Sequence, residues 1–183
     1  MSSSDAQIVK SCLKGDARQQ RALYQKYRVN LFVLCLRYAS HRAEAEDFLQ
    51  DGFVKIFQDL HQFDSNKGSL SAWTRRVVLN VVFQHLRKKR IEYSSTPVED
   101  FANQFSSTED VLAQMSAQEL MQVIQQLPEG YRIVFNMYIV DGYTHKEIAA
   151  ELGISESTSK SQLHKAKTYL KRQLKATYSH IDK

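Results

Sequence analysis

The chain has 183 residues, of which 43% are hydrophobic and 25% are charged, a balance that allows a buried core and excludes a disordered polyelectrolyte. Only 6 Gly and 2 Pro interrupt it, which favours helices over strands and turns. Its formal charge of +5, from 25 basic and 20 acidic residues, weakly suggests a polyanionic partner.

The first residues, 1–5, carry neither a basic stretch nor an apolar stretch of the kind that begins a signal peptide. No later run approaches the roughly 20 apolar residues of a membrane span. Cys12 and Cys35 have neither metal-ligand spacing nor the pattern of a disulfide framework. We therefore expect a cytoplasmic protein with reduced thiols and no direct membrane insertion.

Three helical patterns fill the first 90 residues. Asp16 is a plausible N-cap for a helix whose apolar residues recur at helical spacing from Leu23 to Tyr38. Residues 41–60 contain an unbroken apolar face, and after a polar loop Ser69 or Ser71 could cap a third helix. The expected core side of that helix is Leu70, Trp73, Val77, Val78 and Val81, with base stacking as the alternative role of Trp73.

The helix over residues 41–60 is acidic, with five acidic against two basic residues. An acidic face with an apolar centre is typical of a protein-docking surface, and a merely solvated face is an equally good interpretation of this helix taken alone. The candidate docking residues are Glu46, Asp47, Gln50, Asp51 and Val54.

The third helix ends in a basic stretch, residues 75–90, with six basic residues and no acid. At 100° per residue one stripe of it lies opposite the predicted core side. Cations, an amide and an exposed aromatic ring are suited to holding phosphates and reading an unpaired base, although basic helix ends also serve solubility. The members of this stripe are Arg76, Asn80, Phe83, Arg87 and Arg90.

A polar segment over residues 91–108 predicts a flexible linker between domains at 1–90 and 109–183. Helices are expected over about 109–126, from Pro128 as the first helical residue to Val140, and over 144–152. The fold class is therefore all-α, with two small helical domains joined by a linker.

Residues 144–155, followed by another helix, predict a helix-turn-helix. Thr144 and Glu147 form a capping box, Gly153 suits the turn, and Ser155 can cap the second helix. That helix carries six basic residues and no acid from 157 to 175, so its outward face can enter a major groove. A solvated surface helix is the alternative. Leu163, Ala166, Leu170 and Leu174 of this helix are expected to face inward. The outward residues are Ser157, Lys160, Ser161, His164 and Thr168, flanked by Lys167 and Lys171.

Catalytic motifs are missing from the sequence. The six histidines show no paired metal spacing, and there is neither a Gly-rich phosphate loop nor a nucleophile motif. We expect no enzyme activity, no metal, no cofactor and no small-molecule substrate.

Taken in order, these segments resemble the extracytoplasmic-function (ECF) subfamily of the RNA polymerase sigma factors. Residues 46–53 are similar to the family's polymerase-docking helix. Residues 71–80 and 85–88 are similar to its promoter-melting helix, and residues 127–132 with the helix-turn-helix to its C-terminal domain. The resemblance implies an alternative sigma factor that binds core RNA polymerase through the beta-prime clamp and the beta flap and opens promoter DNA, together with an anti-sigma factor as a further partner.

The resemblance also implies roles for individual residues. The loop over residues 63–69 would hold a flipped promoter base, with Asn80 nearby. The docking residues would bind the polymerase clamp. The resemblance also adds Asn66, Lys67 and Lys88 to the stripe on the third helix, and Thr158 and Lys165 to the outward residues of the last helix. The minus-ten candidates are then Asn66, Lys67, Arg76, Asn80, Phe83, Arg87, Lys88 and Arg90. The minus-thirty-five candidates are Ser157, Thr158, Lys160, Ser161, His164, Lys165 and Lys167.

Two positions depart from the family pattern. Ser159 stands where Val is usual on the inward face, which predicts looser packing, and Gln162 stands where Arg is frequent, which predicts an altered phosphate contact. A stand-alone helix-turn-helix regulator with a helical sensor domain would explain the C-terminal half only. A helical adaptor that binds no DNA is the third possibility.

Overall fold

The computed structural model describes the backbone of residues 3–92 and 117–178 and the side chains of residues 5–89 and 121–174. Within these ranges all regular elements are helical. The chain divides into two units, Met1–Lys89 and Arg90–Lys183. The predicted all-α fold of two small helical domains is thus confirmed. None of the helices in the described ranges has the length and apolar character that crossing a membrane requires.

The N-terminal unit is a bundle of four helices. Its core contains fully buried side chains from the last three of them, among them Leu23, Tyr38, Ile56, Val78 and Val82. The helices are α1 (Ser3–Cys12), α2 (Ala17–Tyr38), α3 (Arg42–Asp59), which continues into a 3-10 turn (Leu60–Gln62), and α4 (Leu70–Glu92).

Side chains that precede each long helix fix where it begins. The Asp16 carboxylate accepts hydrogen bonds from two amides of the first turn of α2, as predicted. His41 caps α3 through its ring nitrogen. Before α4, Ser69 Oγ accepts a hydrogen bond from the Ala72 amide, so Ser69 rather than Ser71 is the cap. Without these caps, the first-turn amides would lack hydrogen-bond partners, which would weaken the helix ends.

Helices α3 and α4 approach each other closely at Gly52. A Cβ atom at this buried position would lie 2.9 Å from Val78 Cγ2. Glycine therefore lets the Val78 side chain of α4 pack directly against the backbone of α3. The contact fixes one side of α3 against α4 and leaves its acidic side outward.

The prediction of an exposed Phe83 is wrong. Its side chain is 0% exposed, and its ring packs edge-on against the Tyr38 ring of α2, with centroids 5.7 Å apart. Trp73 and Val77, expected in the core, are only half-buried. The core face of α4 is therefore wider than the predicted stripe and rotated from it, because α4 contacts both α2 and α3.

The C-terminal unit contains four described helices. The predicted linker at 91–108 lies outside the described residues except for the last two residues of α4, as does the start of the helix expected from residue 109. The helices are α5 (Ala117–Gln125), α6 (Glu129–Phe135), which widens into a π-helical segment (Asn136–Val140), α7 (His145–Leu152) and α8 (Glu156–Tyr178).

The junction between α5 and α6 is closed by a buried cation. Pro128 occupies the N-cap position of α6, one residue before the predicted place. Arg132 is 4% exposed, and its guanidinium donates a hydrogen bond to the Leu127 carbonyl. At the C-terminal end of the segment that follows α6, the Asp141 amide donates a hydrogen bond to the Asn136 carbonyl, which closes the π-helical turn. The helix predicted to Val140 is therefore α-helical only to Phe135.

Helices α7 and α8 form the predicted helix-turn-helix. Thr144 and Glu147 make both hydrogen bonds of the capping box, and Gly153 ends α7 in the left-handed conformation with φ 64°. Ser155 Oγ accepts a hydrogen bond from the Thr158 amide at the start of α8. The predicted inward face of α8 is confirmed: Leu163, Ala166, Leu170 and Leu174 are buried, and Ser159 is buried with them.

Candidate protein-docking and nucleic-acid interfaces

The acidic face of α3 is exposed along its length, as its sequence pattern predicts. The Glu46 carboxylate is 2.8 Å from Arg42 Nε and remains 55% exposed. Asp51 is 53% exposed and lies 2.8 Å from His85 Nε2 of α4. Val54 is 50% exposed among these polar groups. The structure thus brings together all five predicted docking residues, Glu46, Asp47, Gln50, Asp51 and Val54.

A groove between α2 and α3 adjoins this face. Its volume is about 450 Å³, and Tyr24, Leu49, Phe53 and Phe57 line it together with three of the predicted docking residues. The Tyr24 ring packs on the Phe53 ring, with centroids 4.6 Å apart. Sequence reasoning missed Tyr24 because it lies on another helix, although an aromatic residue on the polar side of the α2 pattern was a visible signal.

The outward side of α4 retains part of the predicted stripe. Arg76 and Asn80 are exposed one turn apart, Lys88 is exposed and Arg87 is half-buried. The side chain of Arg90 lies outside the described residues. Phe83 is not part of this surface, since it is buried. The described, exposed part of the stripe therefore contains cations and an amide, and none of its residues is aromatic.

The loop before α4 is held in a defined turn. Asp64 Oδ1 accepts a hydrogen bond from the Asn66 amide, and the Lys67 amide donates to the Asp64 carbonyl. Both predicted loop residues, Asn66 and Lys67, are exposed. The turn thus presents their side chains to solvent.

An aromatic contact joins this loop to α4. The Phe63 ring meets the half-buried Trp73 ring at 64°, with centroids 5.8 Å apart. At 100° per residue, Trp73 lies within about 60° of both Arg76 and Asn80, so the prediction that this stripe lies opposite a core side that includes Trp73 is wrong. The structure thus places the loop beside the exposed stripe, and Trp73 is an anchor between them rather than a core residue.

The predicted DNA-binding residues of α8, the second helix of the helix-turn-helix, are either exposed or half-buried. Lys160 Nζ is 3.9 Å from the Glu156 carboxylate in the first turn. The outward side carries both exposed and half-buried side chains, while the inward face packs on the rest of the unit. The exposed candidates are Ser157, Lys160, Ser161 and Lys167, and the half-buried ones are Thr158, His164 and Lys165.

Both units match known families. A family described as "Sigma-70 region 2" matches residues 23–91, and "Sigma-70, region 4" matches residues 117–170. Together the two matches cover about two thirds of the chain. They fall on the unit with the groove between α2 and α3 and on the unit with the helix-turn-helix, in that order.

Curated relatives match over nearly the whole chain. The ECF RNA polymerase sigma factor SigW of Bacillus subtilis is 26% identical over 178 residues, which cover 91% of this chain and 95% of the relative. The RNA polymerase sigma-H factor of Pseudomonas aeruginosa is 26% identical over 183 residues, 93% of each chain.

A solved structure also aligns with the chain. It is the complex of the sigma factor RpoE with the anti-sigma factor NepR from Bartonella quintana, at 21% identity and a TM-score of 0.48, covering 85% of this chain and 98% of that one. With both regions matched in order and the curated relatives aligned end to end, the chain belongs to the ECF subfamily of the sigma-70 family.

Proposed function

We propose that this protein is an alternative sigma factor that binds core RNA polymerase, carries it to promoters and helps to open them. One observation carries the proposal most directly. The N-terminal unit presents an apolar groove between α2 and α3, an acidic rim formed by Glu46 and Asp47 of α3, and a cationic stripe on α4. A stand-alone DNA-binding regulator has no need of both surfaces in one unit.

The groove suits a helical partner that carries both apolar and basic side chains. Val54 and the aromatic floor offer apolar contacts, while the carboxylates of Glu46 and Asp47 favour a basic partner. We assign this surface to the beta-prime clamp of core polymerase. Asp51 supports the same surface through His85, which ties α3 to α4.

The stripe on α4 and the neighbouring loop are assigned to the minus-ten element. Asn80 offers both a hydrogen-bond donor and an acceptor, which reading a base requires, whereas Arg76 and Lys88 can neutralise phosphates. The contact of Phe63 with Trp73 holds the loop that carries Asn66 and Lys67 against α4. This arrangement supports the capture of an unpaired base at the loop.

The C-terminal unit is assigned to the minus-thirty-five element and the beta flap. A helix-turn-helix places its second helix in the major groove, and α8 supplies six basic residues and no acid from position 157 to 175. We place the protein in the cytoplasm with polymerase and promoter DNA. The ECF resemblance supports an anti-sigma factor as a further partner.

Promoter binding with and without core polymerase tests this function. We expect the full-length chain to bind a promoter fragment specifically only when core polymerase is present, with an affinity that falls as salt rises. A stand-alone regulator would bind its operator unaided. Specific binding by the chain alone, unchanged by core polymerase, would refute the proposal.

A further inference from the structure

Ser159 is a buried hydroxyl in the middle of the DNA-facing segment of α8. Its side chain is 0% exposed, whereas the next residue, Lys160, is exposed. A buried hydroxyl without a hydrogen-bond partner is unfavourable. The partner is His145, the first residue of α7, whose Nδ1 atom lies 2.9 Å from Ser159 Oγ.

The His145 ring is held by a third element. Tyr138 of the π-helical segment stacks on it, with ring centroids 4.4 Å apart and planes 23° apart. Burial lowers the pKa of His145, and the nearby Lys160 lowers it further. A neutral imidazole nitrogen can accept a hydrogen bond from the Ser159 hydroxyl or donate one to it, depending on the tautomer. Three elements therefore meet at one hydrogen bond.

This hydrogen bond lies among the residues that would read DNA. Thr158 and Lys160 flank Ser159, and Ser157 and Ser161 lie two residues away. The apolar contacts of α8 through Leu163 and Ala166 begin one turn later and have little directionality. A hydrogen bond depends strongly on angle and distance. It is thus the contact best able to fix the rotation of the start of α8.

We propose that the hydrogen bond between His145 and Ser159, braced by Tyr138, positions the start of α8 against α7 and so sets base preference in the minus-thirty-five element. The inference rests on the proposed function. Ser159 is a positioning residue, since its burial keeps it from DNA. It also gives the serine at this family position a structural role in place of the looser packing predicted from sequence.

Amide hydrogen exchange in α8 of the full-length chain tests the link itself. His145→Phe keeps a ring stacked on Tyr138 but leaves the buried Ser159 hydroxyl without its hydrogen-bond partner. Amide exchange at the start of α8 should therefore accelerate by about 5–30-fold. His145→Asn, which retains a donor and an acceptor near the Nδ1 position, should stay close to wild type. Adding Ser159→Ala to His145→Phe should restore most of the protection, because no hydroxyl is then left unpaired.

Base preference tests the positioning role. Core polymerase with each variant would transcribe a promoter library randomised in the minus-thirty-five element, and the transcripts would be sequenced. We expect Ser159→Ala and His145→Phe to shift the preferred bases and His145→Asn to retain them. Ile124→Val, which trims a buried side chain of α5, serves as a control that destabilises the same unit and should lower output without changing preference.

The outcomes separate this inference from the proposed function. Absence of promoter-specific transcription with the wild-type chain would refute the function itself. If the wild-type chain is active, base preferences of Ser159→Ala and His145→Phe that match wild type would overturn the positioning role. Exchange in the double variant as fast as in His145→Phe alone would overturn the link.

Discussion

Glu44 joins three parts of the N-terminal unit through one carboxylate. It accepts a hydrogen bond from the Ser40 amide in the turn before α3, and Lys89 Nζ of α4 lies 3.2 Å away. Burial alone would raise the pKa of this carboxyl, but the hydrogen bonds from Ser40 and Lys89 outweigh it and the net pKa is lowered. The ionised form is therefore the one that stabilises the fold.

Removal of this charge should destabilise the N-terminal unit in a pH-dependent way. Because the folded-state pKa lies below the unfolded one, the stabilisation is present above the unfolded pKa, near 4.5, and is lost as pH falls through the folded pKa. We expect Glu44→Gln to lower the free energy of unfolding by about 1–2 kcal/mol at pH 7 and by less at acidic pH.

Urea unfolding measures this change, because Trp73 is the chain's single tryptophan and its fluorescence reports on the N-terminal unit. Glu46→Gln, which removes an exposed carboxylate two residues away, is the control and should cost less than about 0.5 kcal/mol. A loss for Glu44→Gln that is constant from pH 7 to pH 3 would show that the charge is not responsible.

At the scale of single elements, α4 carries two kinds of contact that mutation can separate. Arg76 and Asn80 lie one turn apart on its exposed stripe. Arg76→Ala should weaken open-complex formation on all promoters and reduce the salt dependence by about one unit of slope, because one phosphate contact is lost. Asn80→Ala should cost about 1–3 kcal/mol only against the preferred minus-ten base.

Holoenzyme titrations on promoters varied through the minus-ten element, at several salt concentrations, distinguish the two variants. The assignments are wrong if Asn80→Ala weakens every promoter equally. They are also wrong if Arg76→Ala changes the base preference and leaves the salt slope unaltered.

The packing of α3 on α4 reverses the usual effect of removing a helical glycine. Replacing Gly by Ala inside a helix normally stabilises it by about 1 kcal/mol. At Gly52 the new Cβ would lie 2.9 Å from Val78, whose branched side chain moves little in a helix. We expect Gly52→Ala to destabilise the unit by about 1–3 kcal/mol.

Gly130 provides the matched comparison, because a Cβ there meets only the flexible end of Gln162. Gly130→Ala should be neutral or stabilising in thermal unfolding followed by circular dichroism. In the Gly52→Ala background, Val78→Ala should recover part of the loss. Equal effects of the two glycine substitutions would contradict the close approach of α3 and α4.

Helices with one buried face were predicted well from sequence, and α4 was not. The acidic side of α3, the capping box at Thr144 and the inward face of α8 all follow from local spacing. Phe83 does not, because its burial depends on Tyr38, 45 positions earlier in the chain. The place of Tyr24 in the groove and the contact of His145 with Ser159 were not predicted for the same reason. Each is a contact between two helices, and the sequence pattern of one helix does not show which residues of another it meets.

At the scale of the whole molecule, acidic and basic side chains lie on different surfaces. The acidic rim of the groove belongs to the N-terminal unit, while cations dominate the outward sides of α4 and α8. A protein that bridges polymerase and DNA requires this separation, because polymerase-binding and DNA-binding surfaces must be accessible together. The two sets of contacts should therefore fail independently.

Substitutions on the exposed face of α3 test the polymerase-binding set. Asp47→Lys should weaken core-polymerase binding by about tenfold, and Val54→Asp by at least as much, because each change opposes a basic or apolar partner. Asp51 is a poorer target, since its contact with His85 also supports α3 on α4. Gln122→Lys, an exposed position in the other unit, controls for added charge.

Pull-down of core polymerase with each variant, together with circular dichroism, gives the result. An unchanged affinity for Asp47→Lys and Val54→Asp with a native spectrum would remove the groove from the polymerase interface. A loss of equal size with Gln122→Lys would show that overall charge, rather than this surface, governs binding.

Sequencing the transcripts made in vitro shows whether this chain gives core RNA polymerase its promoter specificity. Core polymerase would transcribe genomic DNA fragments with the chain and without it. We predict defined start sites only when the chain is present, preceded by two shared sequence elements near minus ten and minus thirty-five. Start sites that are the same with and without the chain would show that it is not a sigma factor.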